Sequence, residues 1–187
     1  PTNLISITDG QVYLSPDLFE LGVLPAVDVG QSVSRVGGKA QRAAYRAVAG
    51  HLKLAYAQFE ELETFARFGA RLDDATRTVI AHGRRIRACL KQPQSAPIPV
   101  QAQIAVLLAL TEGLFDPVPL DQMEAAERAV REAAAALAQE HVDCLVDGDK
   151  LSDEDREAIL TLARQALAPL LPHSDTDAAN ALAQDIP

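Results

Sequence analysis

The chain has no tryptophan, a single methionine, two cysteines and only 4% aromatic residues among its 187 positions. So few rings disfavour a sheet sandwich, and the abundant alanine points instead to closely packed helices. Cys89 and Cys144 stand alone, with no C-x-x-C and no nearby histidine pair. That argues against a disulfide framework and a zinc site and fits a reducing compartment. His141 and Cys144 would share a helical face, but two ligands do not make a metal site. A basic footprint is missing as well: the formal net charge is −9, so no nucleic-acid partner is expected. Acidic residues are scattered among arginines, as on a solvated helical surface. The longest apolar run, Ile104 to Leu110, is far too short to span a bilayer, and no signal-peptide pattern is visible. Work at a membrane would go through partners. Nothing reads G-x-x-x-x-G-K-[ST], the loop that cradles phosphates.

What is present is enough apolar residue, 48%, to bury one domain's core beside a small extra piece. Leu4-Ile5-Ser6-Ile7 reads as a short strand closed by the turn Thr8-Asp9-Gly10. Gln11-Val12-Tyr13-Leu14 reads as a second strand, apolar enough for burial on both faces of a larger mixed sheet. Ser15-Pro16-Asp17 starts a short helix that Gly22 ends, and Pro25 through Ser34 is extended.

From Lys39 the register is helical. Tyr45, Val48, Leu52, Ala55, Phe59, Leu62 and Ala66 recur at intervals of three and four, a single apolar stripe. Gly50 is tolerated within it and Gly69 would end it. Asp73 or Asp74 caps the next helix, with Leu72, Thr76, Val79, Ile86 and Leu90 facing inward. Pro93 and Pro97 break the chain, and Pro99 starts a third helix, apolar nearly all round and ended by Gly113. Asp121 with Glu124 has the form of a capping box for an alanine-rich helix reaching about Cys144. Asp147-Gly148-Asp149 reads as a turn, since the further calcium ligands do not follow. Ser152 with Asp155 caps a last helix carried by Ile159, Leu160, Ala163 and Leu167 and stopped by Pro169. Past Pro172 the residues are small and polar, a flexible tail.

One stretch stands apart: Ser32-Val33-Ser34-Arg35-Val36-Gly37-Gly38. Small residues on both sides let another surface approach, and the guanidinium fork suits phosphate oxygens. By itself the pattern more often marks a structural ion pair at a loop–helix junction. Together with Pro1-Thr2-Asn3-Leu4-Ile5-Ser6-Ile7-Thr8-Asp9-Gly10-Gln11, however, it closely resembles the alpha subunit of F-type ATP synthases. Leu18-Phe19, Pro25-Ala26-Val27, Gln58-Phe59, Leu72-Asp73, Ala75-Thr76-Arg77 and Leu90-Lys91-Gln92 continue the likeness, which fades after Gly113.

The resemblance implies a mainly α piece: the end of a nucleotide-binding domain over 1–40, a helical bundle of about five helices over 41–172, and a tail over 173–187. Its phosphate loop would lie upstream. It implies a regulatory, non-catalytic alpha subunit of a proton- or sodium-translocating ATP synthase. Arg35 would reach the γ-phosphate of ATP held by a neighbouring beta subunit. Such fingers are worth about 10³–10⁵ in rate, or roughly 4–7 kcal/mol of barrier. Ser32 would keep bulk away from the guanidinium, and Ser6 matches a serine near the same interface, though it also reads as an ordinary strand residue. Pro25, Gln92 and Gln94 match the adenine pocket of the subunit's own nucleotide, ATP or ADP with Mg²⁺. Leu24 departs from the arginine usual there, and no nucleotide is expected to stay firmly on this chain alone. The implied partners are beta subunits, the central-stalk gamma subunit, contacted near Phe65, Phe68 and Leu72-Asp73, and the peripheral-stalk delta subunit. The implied place is peripheral, on the cytoplasmic face of a bacterial inner membrane. The alternative from another class is a stand-alone helical-bundle interaction module without ATP turnover.

Overall fold

The computed structural model describes residues 7–67, 72–147 and 151–171. Its first part is a two-stranded antiparallel ribbon of β1 (Gly10–Leu14) and β2 (Val27–Ser34), joined through the short helix α1 (Pro16–Glu20). Ser15 starts α1 as expected, its hydroxyl accepting the Leu18 N–H. Gly22, at φ +68°, turns the chain back with no Cβ to strain. The strands pair Gly10 with Ser34 and Gln11 with Val33, then Tyr13 with Asp28 and Leu14 with Val27. Residues 29–32 of β2 therefore stand opposite Val12 alone, a wide bulge that bends the strand. The Asp28 carboxylate closes it by accepting both the backbone N–H and the side-chain amide of Gln31, each at 2.8 Å. The expected first strand, Leu4–Ile7, lies outside the described residues except for Ile7, which is not in the sheet.

A 3-10 turn at Gly37–Lys39 leads into the helices α2 (Ala43–Arg67), α3 (Asp74–Cys89), α4 (Val100–Thr111), α5 (Met123–Ala134), α6 (Gln139–Asp147) and α7 (Asp153–Leu167). The α2 stripe faces inward: Val48, Leu52 and Phe59 are buried, and Tyr45, Ala55, Leu62 and Ala66 pack at the core's edge. Helix α3 crosses it at Gly83, where a Cβ would lie only 2.0 Å from the Phe59 ring. Only glycine lets the two backbones come this close. Helix α4 is the middle of the bundle. Ile104, Leu108, Ala109 and Leu110 are fully buried, each large side chain contributing about 1.5–3 kcal/mol by leaving water. Its apolar circumference is why it touches α2, α5, α6 and α7. Asp73 caps α3 by accepting the Thr76 N–H at 2.8 Å, and Ser152 caps α7 through the Asp155 N–H. Gly113, at φ +69°, closes off α4.

Three expectations change. The alanine-rich helix is two helices, α5 and α6, so among the described residues the bundle has six helices after residue 40. Ala135, Ala136 and Leu137 bond back three residues instead of four, tightening the chain so that Leu137 turns inward. Asp121 is not a cap: it lies in a 3-10 turn, Leu120–Gln122, and α5 starts with no side-chain cap. On α3 the buried face is Ile80, Ala81, Gly83, Arg85, Ile86 and Cys89, whereas Leu90 is exposed. Arg85 is buried because its fork grips carbonyls. Nε and Nη2 donate to Val118 O at 3.0 and 2.9 Å, and Nη1 donates to Ala81 O at 2.9 Å. That ties the Pro117–Pro119 loop to α3. Gly69, Gly148 and the tail after Leu171 lie outside the described residues.

Candidate functional site

Arg35 follows the last residue of β2. Its backbone N–H donates to Asp9 O at 2.8 Å, so Arg35 is held by the ribbon's main chain. Ser34 Oγ accepts the Gly37 N–H at 3.0 Å, which shapes the turn immediately after it. Arg35 is exposed, between Val33 and Val36, each 53% exposed. Its position is on the surface of the ribbon, outside the bundle core. Ser32 also holds the ribbon together. Its hydroxyl donates to the Asp28 carbonyl and accepts the Tyr13 N–H at 3.0 Å, replacing the ladder bonds the bulge interrupts. Ser6 lies outside the described residues.

Of the residues expected around an adenine, Gln92 is brought beside the turn that holds Pro25, from a distant place in the chain. The Gln92 N–H donates to Leu24 O at 2.9 Å, sewing the loop after α3 to the Leu24–Pro25 turn. Gln92 Nε2 donates to Ala96 O at 2.8 Å, so its amide is oriented by its own loop. Gln94 is exposed in that loop, as are Leu24 and Pro25. Phe65 is 58% exposed, so it is not core. Phe68 lies outside the described residues, Leu72 packs on the core's edge, and Asp73 is occupied as a helix cap.

Two polar clusters went unrecognised in the sequence. The first joins ribbon to bundle. Arg87 of α3 stacks on Phe59, its carbon 4.4 Å from the ring centre. It pairs with both Glu63 oxygens, at 3.1 and 2.8 Å, and donates from Nε to the Tyr56 hydroxyl at 3.2 Å. Glu60, one turn from Tyr56, is half-buried and faces Asp28 of β2. Burial, then the Asp28 charge, push its carboxyl above the usual range. The second cluster centres on Asp155 of α7, which is buried. His141 Nδ1 lies 2.6 Å from its Oδ1, and Ser152 bonds its other oxygen. Burial alone would raise the Asp155 pKa, but hydrogen bonds from Cys144, Ser152 and His141 outweigh it and draw the group to about 2. His141 and Cys144 thus do share a face, as their spacing implied, and they use it to hold a carboxylate. The i,i+3 spacing was the visible signal. Its partner fourteen residues on was not.

Among the described residues no group of three or more His, Cys, Asp or Glu side chains could hold a metal ion. Arg35 is an exposed arginine on the ribbon, and a guanidinium is a fork of donors suited to negatively charged oxygens.

The family described as ATP synthase alpha/beta chain, C terminal domain, matches residues 41–166, and the ATP synthase alpha/beta family nucleotide-binding domain matches residues 1–34. The chain is 70% identical over 186 residues to ATP synthase subunit alpha 2 of Albidiferax ferrireducens, covering 100% of this chain and 35% of that one. It is 70% identical over 177 residues to ATP synthase subunit alpha 1 of Marinomonas sp., covering 95% and 34%. Against subunit alpha 1 of Shewanella frigidimarina it is 71% identical over 171 residues, covering 91% and 33%. It spans about a third of the length of these relatives.

Proposed function

The chain belongs to the ATP synthase alpha/beta family, and on that premise we propose that it serves as a regulatory alpha-type piece whose Arg35 completes a catalytic site on a neighbouring subunit. The observation that carries the reading is the placement of Arg35, exposed at the end of β2 and fixed through its backbone N–H to Asp9. An exposed arginine whose backbone is fixed at a strand end is suited to a partner's phosphate oxygens, and a fixed mount matters because a shift of about 1 Å costs around 10²-fold in rate. The nucleotide itself, with its Mg²⁺, would be held by the partner. Lysine would not substitute, since a point charge cannot make the two-pronged contact.

In an intact subunit Pro25, Gln92 and Gln94 would flank the base of a second ATP or ADP that is not turned over. The backbone bond from Gln92 to Leu24 supports this, because it places both stretches on one side of the chain. The apolar Leu24 offers no phosphate or base contact of its own. The exposed Phe65 at the end of α2 would meet a beta subunit or the gamma shaft, with delta reached elsewhere in the assembly. No helix among the described residues is long and apolar enough to cross a membrane. Attachment to the cytoplasmic face of an inner membrane, and coupling to proton or sodium flow, would come through the assembled complex.

The test is multisite ATP hydrolysis by the full-length subunit carrying Arg35→Ala, assembled with its beta partner. The expected loss is about 10³–10⁵-fold with assembly intact. Unchanged turnover would overturn the finger and leave the helical interaction module as the better account.

A further inference from the structure

The ribbon that carries Arg35 rests on the bundle at few points. Val29 packs against the core's edge, the Leu24 carbonyl takes the Gln92 N–H, and Gly30 lies against α2. The third point is unusual in its chemistry. A Cβ built on Gly30 would meet Asp28 Oδ1 at 3.4 Å and Glu60 Oε2 at 3.5 Å. Two carboxylates, one from the ribbon and one from the bundle, therefore converge on the bare flank of a single glycine. Like charges this close resist being ionised together, and a half-buried site weakens the water screening that would otherwise separate them.

We infer that Glu60 is a positioning residue for the Arg35 strand: neutral Glu60 lets β2 rest on α2 beside the Asp28 carboxylate, and a charge on Glu60 sets the two elements against each other. The inference rests on the reading of Arg35 as the working residue of the ribbon. The Asp28 carboxylate also closes the bulge through Gln31, and Ser32 bonds the Asp28 carbonyl. A push on Asp28 is therefore transmitted along three residues of β2 to Arg35. The groups facing Glu60 are Asp28 from β2, Tyr56 and Glu63 from its own helix, and Arg87 from α3. Arg87 would favour the ionised form, but both its outer nitrogens engage Glu63. The hydrogen bond from the Tyr56 hydroxyl also favours the ionised form, but it weighs less than burial and the Asp28 charge. Burial and Asp28 dominate, and both raise the Glu60 pKa. Its folded pKa being raised, docking takes up a proton. The contact is firmest at and below the ordinary carboxylate range and weakens as pH rises through the elevated pKa.

Backbone hydrogen exchange of this chain at pH 5 and pH 8, corrected for intrinsic exchange, tests the joint. The Tyr13 and Arg35 N–H groups, both bonded within the ribbon, should both lose protection across that range. Glu60→Gln and Asp28→Asn should each abolish the loss, while Arg35→Ala should leave it in place. In the assembled complex, Glu60→Gln should flatten the pH profile of hydrolysis between the same limits. Equal protection at both pH values in the unsubstituted chain, or an undiminished loss in the two neutral variants, would overturn the joint. Should Glu60→Gln fail to fold, Asp28→Asn decides from the ribbon side. Because exchange is read without turnover, a failed Arg35 reading would show as unchanged hydrolysis in Arg35→Ala beside an intact exchange effect.

Discussion

In the bundle Phe59, Ile104, Leu108 and Phe115 are fully buried, whereas in the ribbon Val12 is 70% exposed and Leu14 and Phe19 are each 66% exposed. The two regions have comparable apolar character and opposite fates. Helices α2 to α7 cover one another's stripes, and α4 has neighbours on every side. The ribbon has two strands and one short helix, too little to close over its own faces. It keeps its shape by polar devices: the Asp28–Gln31 turn, the Ser32 clamp, the Ser34–Gly37 turn and the Arg35–Asp9 bond. A region folded by burial supplies stability. A region shaped by hydrogen bonds, with open apolar faces, supplies geometry to whatever covers it.

If that division holds, changes in the ribbon alter function and local exchange, and changes in the bundle alter global stability. The largest effect belongs to Arg35→Ala. It should cost about 10³–10⁵ in assembled turnover while shifting the unfolding free energy of this chain by no more than about 0.5 kcal/mol. A large stability loss would break the comparison. Next comes Gly83→Ala, which drives a methyl into the Phe59 ring at the crossing of α2 and α3. Overpacking there should cost about 3 kcal/mol in urea unfolding, with ribbon exchange unchanged relative to the bundle.

Asp155→Asn sharpens the comparison through pH. The folded pKa of Asp155 is drawn down to about 2, below the ordinary value near 4. Its contribution is therefore complete above about pH 4 and lost as pH falls through about 2. The variant should be less stable by about 2 kcal/mol at pH 7, and the gap should close toward pH 2. A gap that persists there would mean that the Asn amide clashes with its neighbours. Ser32→Ala removes the acceptor of the Tyr13 N–H and should loosen ribbon exchange by about 1 kcal/mol without moving the bundle's midpoint. The smallest effect is Gly50→Ala. A Cβ there meets nothing within 4 Å, so the variant should be more stable by about 0.5–1 kcal/mol.

Helix starts were legible because caps are local: Ser15, Asp73 and Ser152 each bond an N–H three residues ahead. The α2 stripe and the all-round apolarity of α4 were legible because periodicity is a property of neighbours in the chain. The α3 face was misjudged, since Arg85 reads as a surface residue until the Val118 carbonyl meets it. The split near Leu137 was hidden in alanines, which favour helix and give no stop signal. Of the candidate site, the resemblance pointed to the Arg35 loop and to Pro25, Gln92 and Gln94, and the structure bonds the Gln92 N–H to the neighbouring Leu24 carbonyl. The resemblance did not give Ser32 its clamping role, because that depends on a bulge with no glycine or proline signature of its own at Ser32.

What the sequence determined by itself was family, helix order and the residue at the ribbon's end, since each is written in short spacings that survive without partners. What only the tertiary structure decided were the contacts between residues far apart in the chain: Arg85 with Val118, His141 with Asp155 and Gln92 with Leu24, and the facing of Glu60 toward the Asp28 charge. The physical reason is that a charge or a polar group takes its character from its surroundings. Burial, an opposing carboxylate or an open carbonyl arrives only when distant stretches pack, and no local pattern announces it.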